Sequence, residues 1–561
     1  MPSLTFQNTF FSISLSVIFI FLSTYAAAST NEALALFKWK SSLVSQNKSM
    51  LTSWNLQKNP TPCSWLGVSC DNGSVIRLNL TSTGLQGTLY NLNFSSFPNL
   101  TYIDFGLNQL NGTISPQICI LSKLKYLDLS SNQFSGIIPP EIGLLTELET
   151  LHLFENQLTG SIPSEIGHLK SLYDLALYNN SLQGPIPSSI GNLINLQYLY
   201  LSENNLSGSI PREMGNMINL VEVYMDTNNL TGEIPSTLGK LSNITVLFMF
   251  QNNLSGPIPP EIGMLESLQQ LSIFTNNLSS SIPPSLGALR SLVLLHLYNN
   301  QLSGPIPEEL GNLESITDLA VSGNLLNGSI PNSLGKLKNL ETLFLRDNQL
   351  SGPIPKEIGS LKLVTLELDT NDLSGNLPDQ ICVGGKLEYF SVSDNNLTGQ
   401  LPKDLSNCSS LIRVHLNNNK LTGNLSRVFG GVYPKLNFMD ISNNEFYGKI
   451  PSTIGDCSQL THLNLSRNLF GGKIPIQMSK LKNMTELDLS RNRLTGRIPS
   501  QFASLENLTL IDISYNQLCG PIPNSKAFRN ASIVELLGNL CLCGNVKGLP
   551  HCPPKVSTTQ H

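Results

Sequence analysis

Leucines recur at fixed spacing along most of this chain. The stretch LVLLHLYNNQLSGPIPEELGNL, which begins at Leu292, places Leu295 and Leu297 where a buried core needs apolar side chains. Similar stretches begin at Leu151 and Leu199, and all three follow the template LxxLxLxxNxLxGxIPxxLGxL. Because alternate side chains of a strand point to opposite faces, the LxL segment predicts a short strand with both leucines buried.

The asparagine that follows LxL gives the period of this pattern. It stands at Asn108, Asn132, Asn156, Asn180, Asn204, Asn228, Asn252, Asn276, Asn300, Asn324, Asn348, Asn371, Asn395, Asn419, Asn444, Asn468, Asn492 and Asn516. The first eleven are 24 residues apart, the later steps are 23 to 25, and Thr83 holds the same place in LNLTSTGLQG, which makes 19 repeats. This period predicts a leucine-rich-repeat fold, an α/β solenoid in which each repeat buries its leucines against its neighbours.

Each residue type that recurs in the template has a physical role in such a stack. The inward asparagine carries donors and an acceptor, so it can satisfy backbone groups that are buried where the chain turns. Thr83 can do part of this at the end of the stack. The glycine of LxG permits a tight bend, and the proline of IP, which donates no hydrogen bond, suits an outer turn.

Composition and charge narrow the class of protein. The 561 residues carry a net charge of −5 and only 13% charged residues, without a basic run, so we expect no nucleic-acid partner. Residues 1–28 are uncharged, with an apolar run over 10–22 and three alanines at 26–28, which predicts a secretory signal peptide. An uncleaved anchor is the alternative, although the run is short for a span of about 20 residues. We predict no later membrane span, a polar tail over 555–561 and no kinase in this chain.

The ten cysteines favour an oxidising compartment. Cys63 and Cys70 precede the first repeat, whereas Cys543 and Cys552 follow the last, so we expect a disulfide-stapled cap at each end. From Asn31 onward, NEALALFKWKSSL has helical apolar spacing. It predicts an amphipathic helix over the first repeat, with Asn31 or the residue before it as N-cap.

The remaining cysteines are less uniform. Cys382 and Cys408 lie nearly in phase in adjacent repeats, close enough to bond. Cys457, two repeats beyond, and Cys119 are predicted to be buried free thiols. Two pairings stay open for the end of the chain: Cys519 with Cys541, or Cys541 competing with Cys543 for Cys552. We expect no metal, because no histidine or cysteine group completes a site.

Twenty N-x-S/T sequons agree with export. The glycosylation candidates that we name are Asn79, Asn111, Asn205, Asn253, Asn327, Asn424 and Asn507. Several of the twenty arise from the repeat consensus alone, since NNLSG and NNLTG contain the sequon.

Three segments resemble the extracellular part of plant leucine-rich-repeat receptor-like kinases, most of all the male-discoverer-interacting receptor-like kinase group. They are ALFKWKSSL with SWN and PCSWLGVSC, the LxGxIP repeats, and the closing YNQLCGPIPNSKAFRNASIVELLGN with LCGNVKGLPHCPP. The resemblance implies an N-terminal cap over 29–75, repeats over 76–523 and a C-terminal cap over 524–554. It also implies a right-handed superhelix with a concave parallel β-sheet.

The same resemblance implies function. It suggests a secreted peptide bound on the concave or inner lateral surface, and a shorter co-receptor kinase near the C-terminal repeats, in signalling or immunity. The chain would then face the apoplast, alone or at the outer face of a plasma membrane through a segment not found here. No island interrupts the repeats, and Arg346 and Arg413 stand singly where peptide-carboxylate receptors often carry an Arg-x-Arg pair.

An aromatic stripe marks the positions between the leucines, which should face solvent on the concave side. Its members are His152, Phe154, Tyr178, Tyr198, Tyr200, Tyr224, Asp226, Phe248, Phe250, Phe274, His296 and Tyr298. Elsewhere the same positions look polar or small, as with Asp318, Ala320 and Ser322. Aromatic residues can simply steady a sheet by lateral pairing, but an exposed contiguous patch more often marks an interaction site.

We therefore predict that this stripe binds an extended peptide. Seven strands span roughly 29 Å, which about nine extended residues would cross. We expect His152 and His296 to be unpaired in solvent, with a charge that could follow apoplastic acidity. The alternative function is a secreted decoy, or an inhibitor of a microbial or cell-wall enzyme. Catalysis is not expected, since no Ser-His-Asp set or carboxylate pair fits a cleft, and no cofactor is predicted.

Overall fold

The computed structural model describes residues 30–44, 50–431 and 433–553. The predicted signal peptide and the polar tail lie outside these residues. The chain divides into two compact units, Met1–Asn277 and Leu278–His561, which are described separately.

In the first unit, the LxL segments form a sheet of short strands. Its strands are Val68–Asp71, Ser74–Asn79, Tyr102–Asp104, Tyr126–Asp128, Thr150–His152, Asp174–Ala176, Tyr198–Tyr200, Glu222–Tyr224, Val246–Phe248 and Gln270–Ser272. The first two are antiparallel. The later strands pair in parallel and in register, so that Leu175 lies beside Leu151 and Leu199. All three leucines are fully buried, as the template predicts.

The second unit repeats this arrangement. Its strands of this type are Leu294–His296, Asp318–Ala320, Thr342–Phe344, Thr365–Glu367, Tyr389–Ser391, Arg413–His415, Phe438–Asp440, His462–Asn464, Glu486–Asp488 and Leu510–Asp512. Parallel strands at a 24-residue period, each buried only against its neighbours, confirm the leucine-rich-repeat solenoid class. We call these strands of both units the repeat strands.

A second row of strands follows the ladder asparagines, and we call them the lateral strands. In the first unit they are Gln86–Thr88, Gln109–Thr113, Gln133–Gly136, Gln157–Leu158, Gln183–Pro185, Asn205–Gly208, Asn229–Gly232 and Asn253–Gly256. Asn277–Ser280 contains the boundary. In the second unit they are Gln301–Pro305, Leu325–Gly328, Gln349–Pro353, Asp372–Asn376, Asn396–Gln400, Lys420–Asn424, Glu445–Lys449, Leu469–Lys473, Arg493–Gly496, Gln517–Pro521 and Cys541–Cys543.

Short helices return the chain to the next repeat. The 3₁₀ turns are Pro62–Ser64, Phe94–Ser96, Pro116–Ile120, Pro140–Leu144, Ser164–His168, Ser188–Asn192, Arg212–Asn216, Ser236–Lys240, Pro260–Met264, Pro284–Ala288, Glu308–Asn312, Asn332–Lys336, Lys403–Asn407, Leu425–Arg427, Ser452–Asp456, Ile476–Lys480, Ser500–Ser504 and Ile533–Glu535. Lys356–Gly359 and Lys526–Asn530 are α-helical. These helices of adjacent repeats pack so closely that the glycine in the LGxL part of the template has no room for a side chain. A Cβ on Gly143, for example, would lie 2.6 Å from the carbonyl oxygen of Glu165 in the next repeat.

The asparagines form a ladder of buried hydrogen bonds between repeats. Asn204 Nδ2 donates to the carbonyl oxygens of Leu177, Leu201 and Ser202 at 3.0, 3.3 and 3.2 Å, and its Oδ1 accepts from the Leu182 N–H at 3.0 Å. This is the role that the sequence predicts, and Thr83 begins the series by donating to the Leu80 carbonyl at 2.6 Å.

The ladder extends one step further than the sequence analysis assigned. Asn539 Oδ1 accepts from the Leu518 N–H at 3.1 Å, and its Nδ2 donates to the carbonyls of Ile513 and Leu536 at 3.0 Å each. The strand Cys541–Cys543 then pairs with Gln517–Pro521, so a partial repeat lies within the predicted C-terminal cap.

A helix over residues 30–42 covers the start of the first unit. Its Trp39 side chain donates to the Thr88 carbonyl at 2.8 Å, and the buried Glu32 accepts from Ser74 Oγ at 2.8 Å. These contacts place it over the first repeat as expected. The predicted N-cap is wrong, because Thr30 and Asn31 both lie inside the helix.

Four disulfides are present in the described residues. They join Cys63 to Cys70, Cys382 to Cys408, Cys519 to Cys541 and Cys543 to Cys552. The alternative in which Cys541 competes for Cys552 is therefore not the arrangement found. Cys119 and Cys457 are buried free thiols, as their positions in the repeat predicted.

Candidate functional site

Three columns of side chains lie on the face of the repeat strands that is not buried with the leucines. The first and second columns are the first and last residues of each three-residue strand, and the third column is the residue two positions after the strand. In-register pairing stacks each column along the unit, as Tyr198 lies beside Asp174 and Glu222 in the first column.

The aromatic cluster of the first unit begins two repeats earlier than predicted. Tyr102 and Tyr126, both in the first column, stack with ring centroids 4.3 Å apart, and the Arg77 guanidinium lies 3.5 Å from the centre of the Tyr102 ring. The sequence carried this signal, because both tyrosines occupy the same template position as Tyr198. The predicted stripe begins at His152 and so leaves both of them out.

From Tyr198 to Phe274 the rings touch both within a repeat and across neighbouring repeats. The centroid distances are 6.3 Å for Tyr198–Tyr200, 5.3 Å for Tyr200–Tyr224, 4.9 Å for Tyr224–Phe248, 5.8 Å for Phe248–Phe250 and 4.4 Å for Phe250–Phe274. Each of these rings is half-buried rather than fully exposed. The rings therefore keep part of their surface towards solvent, and each ring also covers part of its neighbour.

Phe154 and Tyr178 form a second stack in the third column, with centroids 4.5 Å apart. Tyr173, which precedes the first column, packs edge-on against Tyr198 at 5.3 Å and is 42% exposed. Tyr173 belongs to the cluster and was missed because it directly follows Leu172, one residue before the first column that the predicted stripe covers. We call the rings from Tyr102 to Phe274 the aromatic face.

His152 is not the unpaired solvent histidine that the sequence suggested. Its Nε2 lies 2.9 Å from Asp174 Oδ2 and its Nδ1 lies 3.4 Å from Asp128 Oδ2. Burial disfavours the imidazolium, but the two carboxylates outweigh burial and raise the pKa of His152 to about 9. His152 is thus a cation at neutral pH that joins three adjacent strands.

His296, in the second unit, is also paired. Its Nε2 lies 3.3 Å from Asp318 Oδ2, and its ring packs edge-on against Tyr298 at a centroid distance of 5.6 Å. Both histidines that were predicted to be free therefore have an acidic partner on a neighbouring strand, in the first column for Asp174 and Asp318 and in the same column for Asp128, which the aromatic pattern alone did not reveal.

Acidic side chains intervene within the aromatic face. Tyr200 donates its hydroxyl hydrogen to Glu222 Oε2 at 2.9 Å, and burial together with this carboxylate raises the pKa of Tyr200. Asp226 is only 6% exposed, so its assignment as a solvent-facing ligand contact needs correction. Burial raises the pKa of Asp226 to about 6, and its Oδ1 has no hydrogen-bond partner.

The second unit has an aromatic group of its own, contrary to the expectation that the later repeats lack one. Phe438 lies between His415 and His462, with centroids 4.6 and 4.2 Å away and nearly parallel planes. His462 Nδ1 is 2.8 Å from Glu486 Oε2. Burial lowers the pKa of His415. Tyr389, one strand before His415 and 36% exposed, extends this group.

The named sequons differ in accessibility. Asn205, Asn253, Asn327, Asn424 and Asn507 are exposed, whereas Asn79 and Asn111 are half-buried. Asn79 Oδ1 also accepts from the Thr81 N–H and Oγ at 3.2 and 3.0 Å. Glycosylation of the exposed group remains a prediction.

Two kinds of feature are absent from residues 30–44, 50–431 and 433–553. No helix there is long and apolar enough to cross a bilayer. No cluster of three or more histidine, cysteine or acidic side chains there could hold a metal ion.

Comparison with known proteins places this geometry in a family. Residues 29–71 match the model of a leucine rich repeat N-terminal domain, 80–257 that of a leucine-rich repeat region, and 472–518 that of a leucine rich repeat. The ectodomain of the Arabidopsis receptor kinase HAESA, solved with the peptide hormone IDA and the co-receptor SERK1, is 30% identical with a TM-score of 0.73. The match covers 93% of this chain and 99% of that one. The chain belongs to the plant leucine-rich-repeat receptor kinase ectodomains.

Other members of this family show where the comparison is partial. The ectodomain of GASSHO1/SCHENGEN3 from Arabidopsis thaliana, in complex with CASPARIAN STRIP INTEGRITY FACTOR 2, is 35% identical. That match covers 88% of this chain and 65% of the other, with a TM-score of 0.67. MDIS1-interacting receptor like kinase 2 of Arabidopsis thaliana is 50% identical over 100 residues, which are 18% of this chain and 10% of the relative. The matched segment thus spans about a tenth of that kinase.

Proposed function

We propose that this chain is the extracellular recognition module of a plant receptor-like kinase. In this proposal a secreted peptide binds across the aromatic face of the first unit, and a shorter leucine-rich-repeat co-receptor kinase binds near the C-terminal repeats. The chain acts at the outer face of the plasma membrane or in the apoplast, and recognition rather than catalysis is its activity. The observation that carries the proposal is the pair of ring groups on consecutive repeat strands, one from Tyr102 to Tyr178 and one from Tyr173 to Phe274, whose members touch one another within each group.

The dimensions of the aromatic face support an extended peptide. Its rings lie on the eight repeat strands from Tyr102–Asp104 to Gln270–Ser272. Eight strands leave seven gaps and span about 34 Å, which an extended chain of about ten residues would cross. The rings are distributed over all three columns, so a peptide can place alternate side chains against different rings.

The chemistry of the aromatic face also suits a peptide. Aromatic side chains contribute much of the binding energy at protein interfaces, because they bury large area with few rotors. The stacked rings are already ordered by one another, so little side-chain freedom remains to be lost on binding. The Glu222 carboxylate beside Tyr200 adds a fixed acceptor for a backbone N–H or a basic side chain. Solved family members that hold peptides, as in the HAESA complex with IDA, support this ligand class.

The test is an alanine variant at three touching rings, Tyr200, Tyr224 and Phe248. The probe is a library of synthetic peptides of eight to fourteen residues, enriched on the secreted wild-type chain, followed by titration of the enriched peptides. We expect a loss of at least 100-fold in affinity, since each ring contributes roughly 1–2 kcal/mol or more at an interface centre.

A matched control separates lost contacts from a weakened sheet. Phe344, Tyr389 and Phe438 are rings on the repeat strands of the second unit, and their triple alanine variant should bind the same peptides within about threefold. Thermal unfolding of both variants checks that they fold. Unchanged binding by the first variant, or equal loss in both, would refute the assignment of the aromatic face.

A further inference from the structure

Three successive repeats of the second unit carry a cation at one position of the lateral face. Lys449 and Lys473 end their lateral strands, and Arg497 directly follows the strand Arg493–Gly496. All three are exposed and precede the Ile-Pro pair of the template. No other repeat has a lysine or arginine there: the residues are Thr88, Thr113, Ile137, Ser161, Pro185, Ser209, Glu233, Pro257, Ser281, Pro305, Ser329, Pro353, Asn376, Gln400, Asn424 and Pro521. We call these three cations the basic row.

The strand register sets the spacing of the basic row. Lys449 lies beside Gly471, and Lys473 lies beside Thr495, so equivalent residues are displaced by two positions between strands. Strands about 4.8 Å apart with an offset of two residues at about 3.3 Å each give Cα atoms about 8 Å apart. The three cations therefore form a line along the unit.

The glycine of the LxG segment shapes how these side chains lie. The Cβ position at Gly472 is 3.2 Å from Lys449 Cγ, the one at Gly496 is 3.1 Å from Lys473 Cγ, and the one at Gly520 is 3.3 Å from Arg497 Cγ. Each aliphatic stem thus lies against the glycine of the next repeat, in space that a larger residue would fill. The basic row is a flat charged strip rather than three separate protruding chains.

No carboxylate of the described residues forms an ion pair with the basic row. Among the ion pairs formed by the described residues, none includes Lys449, Lys473 or Arg497. The lateral strands of these repeats hold one acidic residue, Glu445, against the additional cation Arg493. Unpaired charges of one sign create a positive potential that attracts anions.

Glycan acceptors disappear from the lateral strands where the basic row begins. Asn327, Asn396 and Asn424 are exposed sequon acceptors on earlier lateral strands of the unit. From Glu445 to Pro521 the sequon acceptors are Asn464, Asn483 and Asn507, and none lies on a lateral strand. Asn424 holds the equivalent position one repeat before Lys449, so a glycan there would flank one end of the basic row, whereas no acceptor lies on the lateral strands that carry Lys449 and Lys473 or on the strand that precedes Arg497.

We propose that the basic row binds a polyuronate, a linear polysaccharide with one carboxylate on each sugar ring. Lysine and arginine form charge-assisted hydrogen bonds with carboxylates, and a line of single cations fits a line of single anions. A protein partner would need a buried apolar centre and about 800 Å² on each side. The lateral strands here expose only Tyr447 and Leu469 as large apolar side chains, among glycines and threonines. The Tyr447 ring, half exposed beside the strip, offers a face for sugar C–H groups.

The experiment uses the secreted, glycosylated chain and de-esterified polygalacturonate, with fully methyl-esterified polymer as the uncharged probe. The test variant carries Lys449→Gln, Lys473→Gln and Arg497→Gln. The control carries Lys240→Gln, Lys336→Gln and Lys356→Gln, three exposed lysines in the turns of other repeats, and so has the same net charge.

We expect the wild-type chain to bind the de-esterified polymer with an affinity that falls as salt rises, because bound counterions are released. The test variant should lose at least tenfold in affinity and show a shallower salt dependence, whereas the control should stay within twofold. Binding of the library peptides should be unchanged in the test variant, so failure here is distinct from failure of the proposed function.

Three outcomes would overturn the proposal. They are no binding of the de-esterified polymer by the wild-type chain at low salt, equal binding of the esterified polymer, and undiminished binding by the test variant. If the test variant no longer bound a co-receptor kinase but still bound the polymer, the basic row would be a protein-binding surface, and this result would also contradict the proposal.

Discussion

Replacing His152 with glutamine should remove a pH-dependent contribution to the stability of the first unit. The His152 ring lies between Asp128 and Asp174, at 3.4 and 2.9 Å, and its side chain is 18% exposed. Burial lowers its basicity, but the two carboxylates raise the pKa of His152 from 6.5 to about 9. At 1.36 kcal/mol per pKa unit, this difference corresponds to about 3 kcal/mol of stabilisation.

The direction of the pH effect follows from the sign of the shift. The folded chain holds the His152 proton more tightly than the unfolded chain, so the stabilisation is fully present below pH 6.5 and is lost as the pH rises through 9. Glutamine keeps a donor but carries no charge. The variant should therefore be less stable than the wild type near pH 6, by about 3 kcal/mol, and the difference should shrink towards pH 9.5.

Denaturant unfolding and hydrogen exchange at pH 6, 7.5 and 9.5 measure this effect. Exchange should report it locally, in the strands Tyr126–Asp128, Thr150–His152 and Asp174–Ala176, because repeat proteins open in local segments. His168→Gln, at an exposed histidine of the same unit, is the control and should show no such difference. Parallel pH profiles for wild type and His152→Gln would refute the reasoning.

Three other changes test the repeat architecture by urea unfolding. Asn228→Ala removes four buried ladder hydrogen bonds and should lower the free energy of unfolding by about 3 kcal/mol. The control, alanine at the exposed Gln301, should change it little, and equal effects of the two changes would contradict a stabilising role of the ladder. Leu107 has a φ of 55° and is 59% exposed, and asparagine tolerates this left-handed backbone conformation better than leucine does. Leu107→Asn should therefore raise the free energy of unfolding by about 1 kcal/mol, and a decrease would show that the leucine side chain has a packing role. Replacing both Cys382 and Cys408 with serine removes a disulfide between residues 26 positions apart and should lower the free energy of unfolding by about 3 kcal/mol. Unchanged stability would show that this disulfide does not constrain the unfolded chain.

The repeat strands and the ladder were predictable because each repeat places the same residue types at the same positions, where they meet the same structural environment. A leucine placed every 24 residues at the same strand position must be buried, and an asparagine at the same turn must meet the same orphan backbone groups. Asn539 also carries a sequence signal, because it lies 23 residues after Asn516 and follows Val534 and Leu536 at the LxLxxN spacing. The match ends there, since Cys541 stands where the template has the next leucine, and the hydrogen bonds to Ile513 and Leu518 identify Asn539 as part of the ladder.

The aromatic face was predictable by position but not by environment. The sequence shows that Tyr200 and Phe248 stand between leucines, yet whether a ring lies in water or against another ring depends on rotamers. The pairing of His152 likewise depends on residues 24 positions before and 22 after it, in two different columns. Only the register of the strands brings Asp128 and Asp174 to its two ring nitrogens.

The stacking of the rings bears on how the aromatic face could both hold the sheet together and bind a ligand. A ring pair such as Phe250 and Phe274, 4.4 Å apart and nearly parallel, is stabilised by lateral packing, which is the structural role that strand aromatics often have. That packing leaves ring edges and part of each face uncovered, since the rings are half-buried. A ligand that covers the remainder meets side chains that are already fixed, and so loses less entropy than it would by ordering free rings. Structural and binding roles are therefore not alternatives here, which is why the peptide test needs a ring triplet in the second unit as its control.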